Sequence, residues 1–234
     1  MTTRIQDAKC EALTIPSYLT KCYWWAYVHP RAVYLFERQW LVNLILWGNF
    51  ARLRDAALDL LGERLHGRVL QVACVYGNLT ERLIGRLDDD ARLDVVDILP
   101  VQLQNLARKL PGDHRVTLSQ GDSAELPFET ASCDQVLLFF LLHEQPEDVR
   151  RRTLAEAMRV VKPGGRIVIA DYHRPSRLHP LYLPMKGILG TLEPFALDLW
   201  RHDLQEWLPR GLRTGALSRR TLFGGLYQLV TITV

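Results

Sequence analysis

Residues Arg68 to Thr80 read R-V-L-Q-V-A-C-V-Y-G-N-L-T, and the reading of this stretch decides the fold. An apolar run from Val69 to Val75 meets a Tyr76-Gly77 turn, after which Leu79, Leu83, Ile84 and Leu87 recur at helical spacing. That pattern predicts a strand, a tight turn and a helix. In open α/β sheets, nucleotide-like ligands sit in the crevice beyond the carboxyl end of such a strand, against the N-terminus of the next helix.

The chain has 234 residues, 48% of them hydrophobic, which suits one α/β domain with an added helical segment and ample core. A net charge of +3 without a basic block argues against a nucleic-acid partner. The longest basic run, Arg150 to Arg152, reads as a solvated helix face. Cys10, Cys22, Cys74 and Cys133 have neither metal-ligand nor disulfide spacing, which indicates a reducing, cytoplasmic setting. Met1 to Thr14 contains no apolar core of a signal peptide, and no stretch reaches the roughly 18 apolar residues of a membrane span. The expected organisation is an N-terminal helical lid or membrane-facing segment over 1–55, then an α/β domain over 56–234 with a cap insert at about 176–208.

Tyr23 to Phe50, Y-W-W-A-Y-V-H-P-R-A-V-Y-L-F-E-R-Q-W-L-V-N-L-I-L-W-G-N-F, holds four of the six tryptophans. After Pro30 it predicts a helix apolar almost all round, broken only by Glu37, Arg38 and Asn43. Such a helix is buried as a lid or lies in a membrane interface, where Trp and Tyr are favoured.

Downstream, R-L-D-V-V-D at Arg92 to Asp97 predicts a second strand whose terminal acid lies about 20 residues after Gly77, the distance at which a carboxylate binds a ribose. Asp97 is the candidate ribose ligand, with Ile98 beside it. Pro100 opens a second helix, Val116 to Leu118 is a short third strand, and Gly121-Asp122-Ser123 is a turn. Cys133 to Leu142 is continuously apolar, as in a central parallel strand buried on both faces. It stops at His143-Glu144, polar groups at a strand's carboxyl end and hence candidates for chemistry. Val149 to Val161 is a helix, K-P-G-G closes it, and Arg166 to Tyr172 is the fifth strand, followed by His173. Leu178 to Trp207 interrupts the alternation as a cap. Gly211 to Ser218 and Tyr227 to Val234 form a terminal hairpin.

The strand-turn-helix and the K-P-G-G-R string resemble class I S-adenosylmethionine (SAM) methyltransferases, which implies a Rossmann-like, seven-stranded, mostly parallel α/β sheet with a terminal antiparallel hairpin. The usual D-x-G-x-G-x-G is eroded: Gln71 stands at the acid, Ala73 and Val75 at the first two glycines, and only Gly77 remains. The resemblance places Gln71, Ala73, Val75, Tyr76, Gly77, Asp97, Ile98, Ser123 and Phe140 at the cofactor, with Asp122 on the adenine amino group. An ordinary SAM methyltransferase on a lipophilic substrate and a non-catalytic membrane-peripheral protein are the alternatives.

More specifically, Y-W-W-A-Y-V-H-P, F-E-R-Q-W-L-V-N-L-I-L-W-G-N-F, L-Q-V-A-C-V-Y-G, L-L-F-F-L-L-H-E-Q-P and I-A-D-Y-H-R-P resemble the RquA family of rhodoquinone biosynthesis over nearly the whole chain. The resemblance implies conversion of ubiquinone to rhodoquinone, a ring methoxy group being replaced by an amino group, with SAM as amino donor and manganese (Mn2+) required. It implies peripheral contact with the cytoplasmic membrane and no obligate protein partner. Tyr76, His143 and His173 are then the candidates for the chemistry, His143 as base, and Asp122, His143, Glu144, Asp171 and His173 the candidate metal ligands.

Overall fold

Val69, Leu70 and Val72 are buried, and around them the chain lays down the rest of its sheet. The computed structural model describes residues 4–6, 13–110, 112–209 and 217–234, without side chains at 4–6, 27–28 and 30–32. In chain order the first elements are β1 (Arg4–Gln6), α1 (Ser17–Cys22), a π-helical turn (Trp24–Val28), α2 (Pro30–Phe36), α3 (Gln39–Ile45) and α4 (Phe50–Leu61). The α/β alternation follows as β2 (Arg68–Val72), α5 (Leu79–Ile84), β3 (Arg92–Asp97), α6 (Pro100–Lys109), β4 (Val116–Gln120), β5 (Cys133–Phe139), α7 (Glu147–Val160) and β6 (Val161–Tyr172). The cap contains α8 (Tyr182–Leu192) and α9 (Asp198–Arg201), and the hairpin is β7 (Leu217–Leu222) with β8 (Tyr227–Thr233).

The strand order is β1-β4-β3-β2-β5-β6-β8-β7. β8 runs antiparallel to both its neighbours, and the other pairings are parallel. Counted from β2, the seven expected strands take the order 3-2-1-4-5-7-6 of a Rossmann-like SAM-methyltransferase sheet. The eighth, β1, adds to the β4 edge, with Arg4 opposite Thr117. Three residues are too few for a period-2 pattern to announce a strand. The order reverses between β2 and β5, and the crevice beyond their carboxyl ends is where such sheets bind ligands.

The apolar helix expected after Pro30 is two helices instead, with α4 starting at the last residue of that stretch, Phe50. Glu37 and Arg38 separate α2 from α3, and Glu37 turns inward: its carboxylate accepts from Lys109 Nζ at 2.7 Å, Asn105 Nδ2 at 2.6 Å and the Gly77 amide at 3.1 Å. Trp47 and Gly48, with φ of 53° and 77°, part α3 from α4. Residue 55, the expected boundary, lies inside α4, which buries Phe50, Leu53, Ala57 and Leu58 in the same core as the sheet and the cap residues Met185, Leu189 and Trp200. Gly77 packs against this helix. Its φ is +80°, and a Cβ there would meet the Phe50 ring at 2.9 Å, so the one retained glycine is required by both conformation and contact.

The basic run is only partly a solvated face. Arg150 is fully buried, donating from Nε to Leu142 O at 2.9 Å and from Nη2 to the Gln145 and Phe195 carbonyls, and its guanidinium stacks on the Trp207 ring at 4.3 Å. It ties the cap to the end of β5. Arg151 and Arg152 are exposed. The hairpin forms as expected from Leu217 onward, while Gly211 to Gly215 and Cys10 lie outside the described residues. Among the described residues no helix is long and apolar enough to cross a membrane.

Candidate functional site

Beyond the carboxyl ends of β2, β3, β4 and β5 the chain forms a cleft. Ala73 and Cys74 line it from the first loop, Asp97 and Ile98 from β3, and Asp122 and Ser123 from the turn after β4. Phe140 and Glu144 close it from the end of β5. Two of these residues hold the left-handed backbone that favours glycine, Ala73 at φ 73° and Phe140 at φ 53°. The glycine-like turn therefore survives at Ala73 although its glycine does not. An L side chain there costs on the order of 1 kcal/mol, and such strain collects where backbone geometry serves a ligand.

Asp97 is nearly buried. One oxygen accepts the Cys74 amide at 2.7 Å and the other the Leu99 amide at 2.8 Å. Each carboxylate oxygen can accept a second bond; the Cys74 thiol uses one of these two places and must yield it for a pair of hydroxyls to bind. Burial lifts its carboxyl to about 6 against the lowering effect of those amides. Ser123 is fixed by Gln145 Nε2 at 2.9 Å and Thr153 Oγ1 at 3.0 Å. Three carboxylates, Asp97, Asp122 and Glu144, thus face one cleft, a field suited to a cationic ligand. Tyr18 and Leu19 of α1 cover it, leaving only about 60 Å3 free. Ligand pockets are roughly 300–1,000 Å3, so α1 must shift to admit a nucleoside. Burial, reinforced by the charges of Glu144, Asp122 and Asp97, pushes the Tyr18 phenol well up.

The other expected cofactor residues, Gln71, Val75, Tyr76 and Gly77, do not line this cleft. Gln71 is fully buried and acts as a strut, donating from Nε2 to Ala73 O at 2.9 Å and accepting from Thr80 Oγ1 at 3.0 Å. The Tyr76 hydroxyl donates to Ala26 O at 2.8 Å and accepts from Gln102 Nε2 at 2.8 Å, and its ring stacks on Phe36. Tyr76 therefore holds the N-terminal segment onto the loop.

His143 does not line the cleft either; it is buried behind Glu144, its Nδ1 3.0 Å from Asp171 Oδ1 and its Nε2 3.7 Å from Glu144 Oε1. Burial alone would lower the imidazole. The charge and hydrogen bond of Asp171, then the charges of Glu193 and Glu144, outweigh this and lift it to about 9. A ring protonated at neutral pH has no lone pair for a proton, so the expected base is a buried cation and charged donor instead. The linkage is specific: a raised value contributes stability that is full below the unfolded pKa of about 6.5 and is lost as pH rises through about 9. Urea unfolding should show a decline of about 3 kcal/mol across that window. The slope should vanish in His143→Gln, and a wild-type profile flat from pH 6.5 to 9.5 would disprove the charged pair.

The five candidate metal ligands do not converge. Asp171 spends both oxygens on the protein: Oδ2 accepts the Leu142 and His143 amides, and Oδ1 the Tyr172 amide and His143. His173 donates from Nδ1 to Gly225 O at 2.7 Å and lines a different cavity. Among the described residues no three His, Cys, Asp or Glu side chains come together to hold a metal ion. The side chains present do not fit the manganese site the resemblance implied.

Residues the sequence did not single out complete the site. Tyr18, Leu19, Cys74, Gln102 and Gln145 line the cleft. Glu193, from the cap, reaches the Tyr23 hydroxyl; burial raises its carboxyl, and the His143 cation acts against that. Only a three-dimensional arrangement brings Tyr18 and Glu193 here, and no local pattern marks either.

A family model described as "Methyltransferase domain" matches residues 69–165. The chain is 35% identical over 182 residues to a demethylmenaquinone methyltransferase of Clavibacter sepedonicus, covering 69% of this chain and 71% of that protein. It is 33% identical over 215 residues to a ubiquinone/menaquinone biosynthesis C-methyltransferase UbiE of Azotobacter vinelandii, covering 81% and 82%. Among solved structures, a SAM-dependent methyltransferase from Aquifex aeolicus superposes with a TM-score of 0.59 at 17% identity, over 87% of this chain and 97% of that one, a likeness of fold.

Proposed function

This chain belongs to the class I SAM-dependent methyltransferase family, and from that premise we propose that it is a transferase acting on a lipophilic quinone and moving the amino group of SAM rather than its methyl group. The relatives' names speak for a quinone-type substrate. What carries the choice of amino transfer is the first loop. The Gly77 amide is taken by the chain's own Glu37 carboxylate, and Tyr76 is bound to Ala26 and Gln102. An amino-acid moiety held there in a methyltransferase would have to lie elsewhere, nearer Phe140 and Glu144, with its nitrogen turned to the quinone.

In this reading Asp97 receives the ribose hydroxyls and Asp122 the adenine amino group. The α-amino group has a reference pKa of about 7.7–8.0 and must lose a proton to attack. Glu144, on the cleft wall, is placed to take it. His143, kept cationic by Asp171, stabilises the negative charge that develops on a quinone carbonyl as nitrogen adds to the methoxy-bearing carbon. The carbon–oxygen bond then breaks and methanol leaves; transfer of the donor's Cα hydrogen reduces the ring and turns the Cα–N bond into an imine, and water hydrolyses that imine to release the aminohydroquinone and a 2-oxo acid.

The second reading, methyl transfer to a quinone-ring carbon, is the one the relatives' names favour. Either way the substrate lives in a bilayer, and peripheral membrane contact has support on the surface. Trp24, Trp25, Tyr34, Trp40 and Leu44 are exposed on the N-terminal segment, and Leu178, Leu183 and Leu192 on the cap. Trp47 Nε1 donates to Met185 Sδ at 3.0 Å, joining the two. The test is product analysis after incubation with ubiquinone and SAM. Tyr76→Phe, which removes the hydroxyl's bonds to Gln102 Nε2 and Ala26 O at a cost of about 1–3 kcal/mol, should lower amination roughly ten- to a hundredfold. Wild-type turnover in that variant would remove the loop anchor from the account.

A further inference from the structure

A second cavity lies on the far side of the Tyr172 strand end, between β6, β8 and the cap. Its volume is about 240 Å3, against about 60 Å3 in the nucleotide cleft. Its wall is basic: Arg174, Arg201 and Arg219 face it, and Asp203 is its one carboxylate. Asp203 pairs with Arg219 at 2.7 Å. Arg201 makes a looser contact with Asp198 at 3.5 Å.

The floor carries two polar groups left unsatisfied. Gln228 and Trp200 line the cavity and are 1% and 6% exposed. Gln228 donates from Nε2 to Tyr172 O at 3.0 Å. Its Oε1, and the Nε1–H of Trp200, have no hydrogen-bond partner among the described residues. A buried polar atom without a partner costs about 1–3 kcal/mol, and folded chains seldom leave one so. Water would satisfy both floor atoms but would not account for three guanidinium groups lining a cavity with one carboxylate.

We infer that this cavity binds a phosphate group. Guanidinium forks match phosphate oxygens in pairs, and a phosphate oxygen accepts from Trp200 Nε1–H. The P–OH of a hydrogen phosphate supplies the donor that Gln228 Oε1 lacks. Sulfate has the same shape and charge but no donor at neutral pH. A phosphodiester, like sulfate, has no P–OH at neutral pH, so the ligand is free hydrogen phosphate or a monoester, and the cavity is independent of which group the enzyme transfers.

The test is calorimetric titration of the full chain at constant ionic strength with inorganic phosphate, with glycerophosphoglycerol as a soluble headgroup, and with sulfate. Saturable binding of a phosphate probe, weakened at least tenfold in the surface variant Arg174→Glu/Arg201→Glu, is expected. Inorganic phosphate should bind more tightly than glycerophosphoglycerol, whose diester lacks the P–OH, and tighter glycerophosphoglycerol would overturn the contact to Gln228. Gln228→Leu should abolish the preference over sulfate, and the surface variant keeps the test valid if that buried change unfolds the chain. No saturable phosphate binding, equal affinity for sulfate, or affinity unchanged in the double arginine variant would overturn the assignment.

Discussion

Replacing Asp171 by Asn is expected to destabilise the protein by about 3–5 kcal/mol, the range for removing one partner of a buried ion pair. Asp171 is wholly buried. It accepts three backbone amides, from Leu142, His143 and Tyr172, as well as the His143 ring. These bonds hold the end of β6 to the turn after β5, the turn that carries Glu144 into the cleft. Asparagine can accept at one atom only and turns a second donor against amides that need an acceptor. His143 would then lose the charge that keeps it protonated, and its titration should fall below neutrality. Urea unfolding and the imidazole NMR titration read the two effects separately. A loss under about 1 kcal/mol with an unmoved titration would contradict the ion-pair description.

Asp97→Asn is expected to weaken SAM binding on the order of a hundredfold, since a hydrogen bond to a charged acceptor contributes about 1.5–3 kcal/mol and the ribose offers two. The pH dependence follows from a carboxyl lifted to about 6 by burial. The folded chain holds its proton more tightly than the unfolded one between the ordinary carboxyl value of 3.8 and about 6, so this group's contribution to stability falls as pH rises through that window. Ribose binding needs the ionised form, so affinity should rise as pH passes about 6. Calorimetry at pH 5 and 7.5 checks both statements. A variant within threefold of wild type, or wild-type affinity that does not change with pH, would remove Asp97 from the ribose.

The fold was legible wherever one element buried one kind of surface. β5, apolar throughout, and the strand-turn-helix at β2 could be read directly, because burial on both faces leaves no choice of residue type. The position of Asp97 in the cleft was legible too, since a strand end fixes its distance from the first loop. What sequence could not show is where side chains are spent. Glu37 looked like a flaw in an apolar helix, but it is the reason the helix stops, because Lys109, Asn105 and Gly77 wait for it from elsewhere in the chain. Arg150 reads as a surface charge on helical periodicity and is buried because three carbonyls converge on it. His143 was read by residue type as a base. Its charge state depends on Asp171, 28 residues away.

The most direct measurement of the central claim is mass spectrometry of ubiquinone incubated with this protein and SAM carrying nitrogen-15 at the amino group and carbon-13 at the methyl, with and without Mn2+. Amino transfer predicts a quinone that has lost a methoxy group, gained one nitrogen-15 and carries no carbon-13. A quinone carrying carbon-13 and no nitrogen-15 would contradict it and establish methyl transfer.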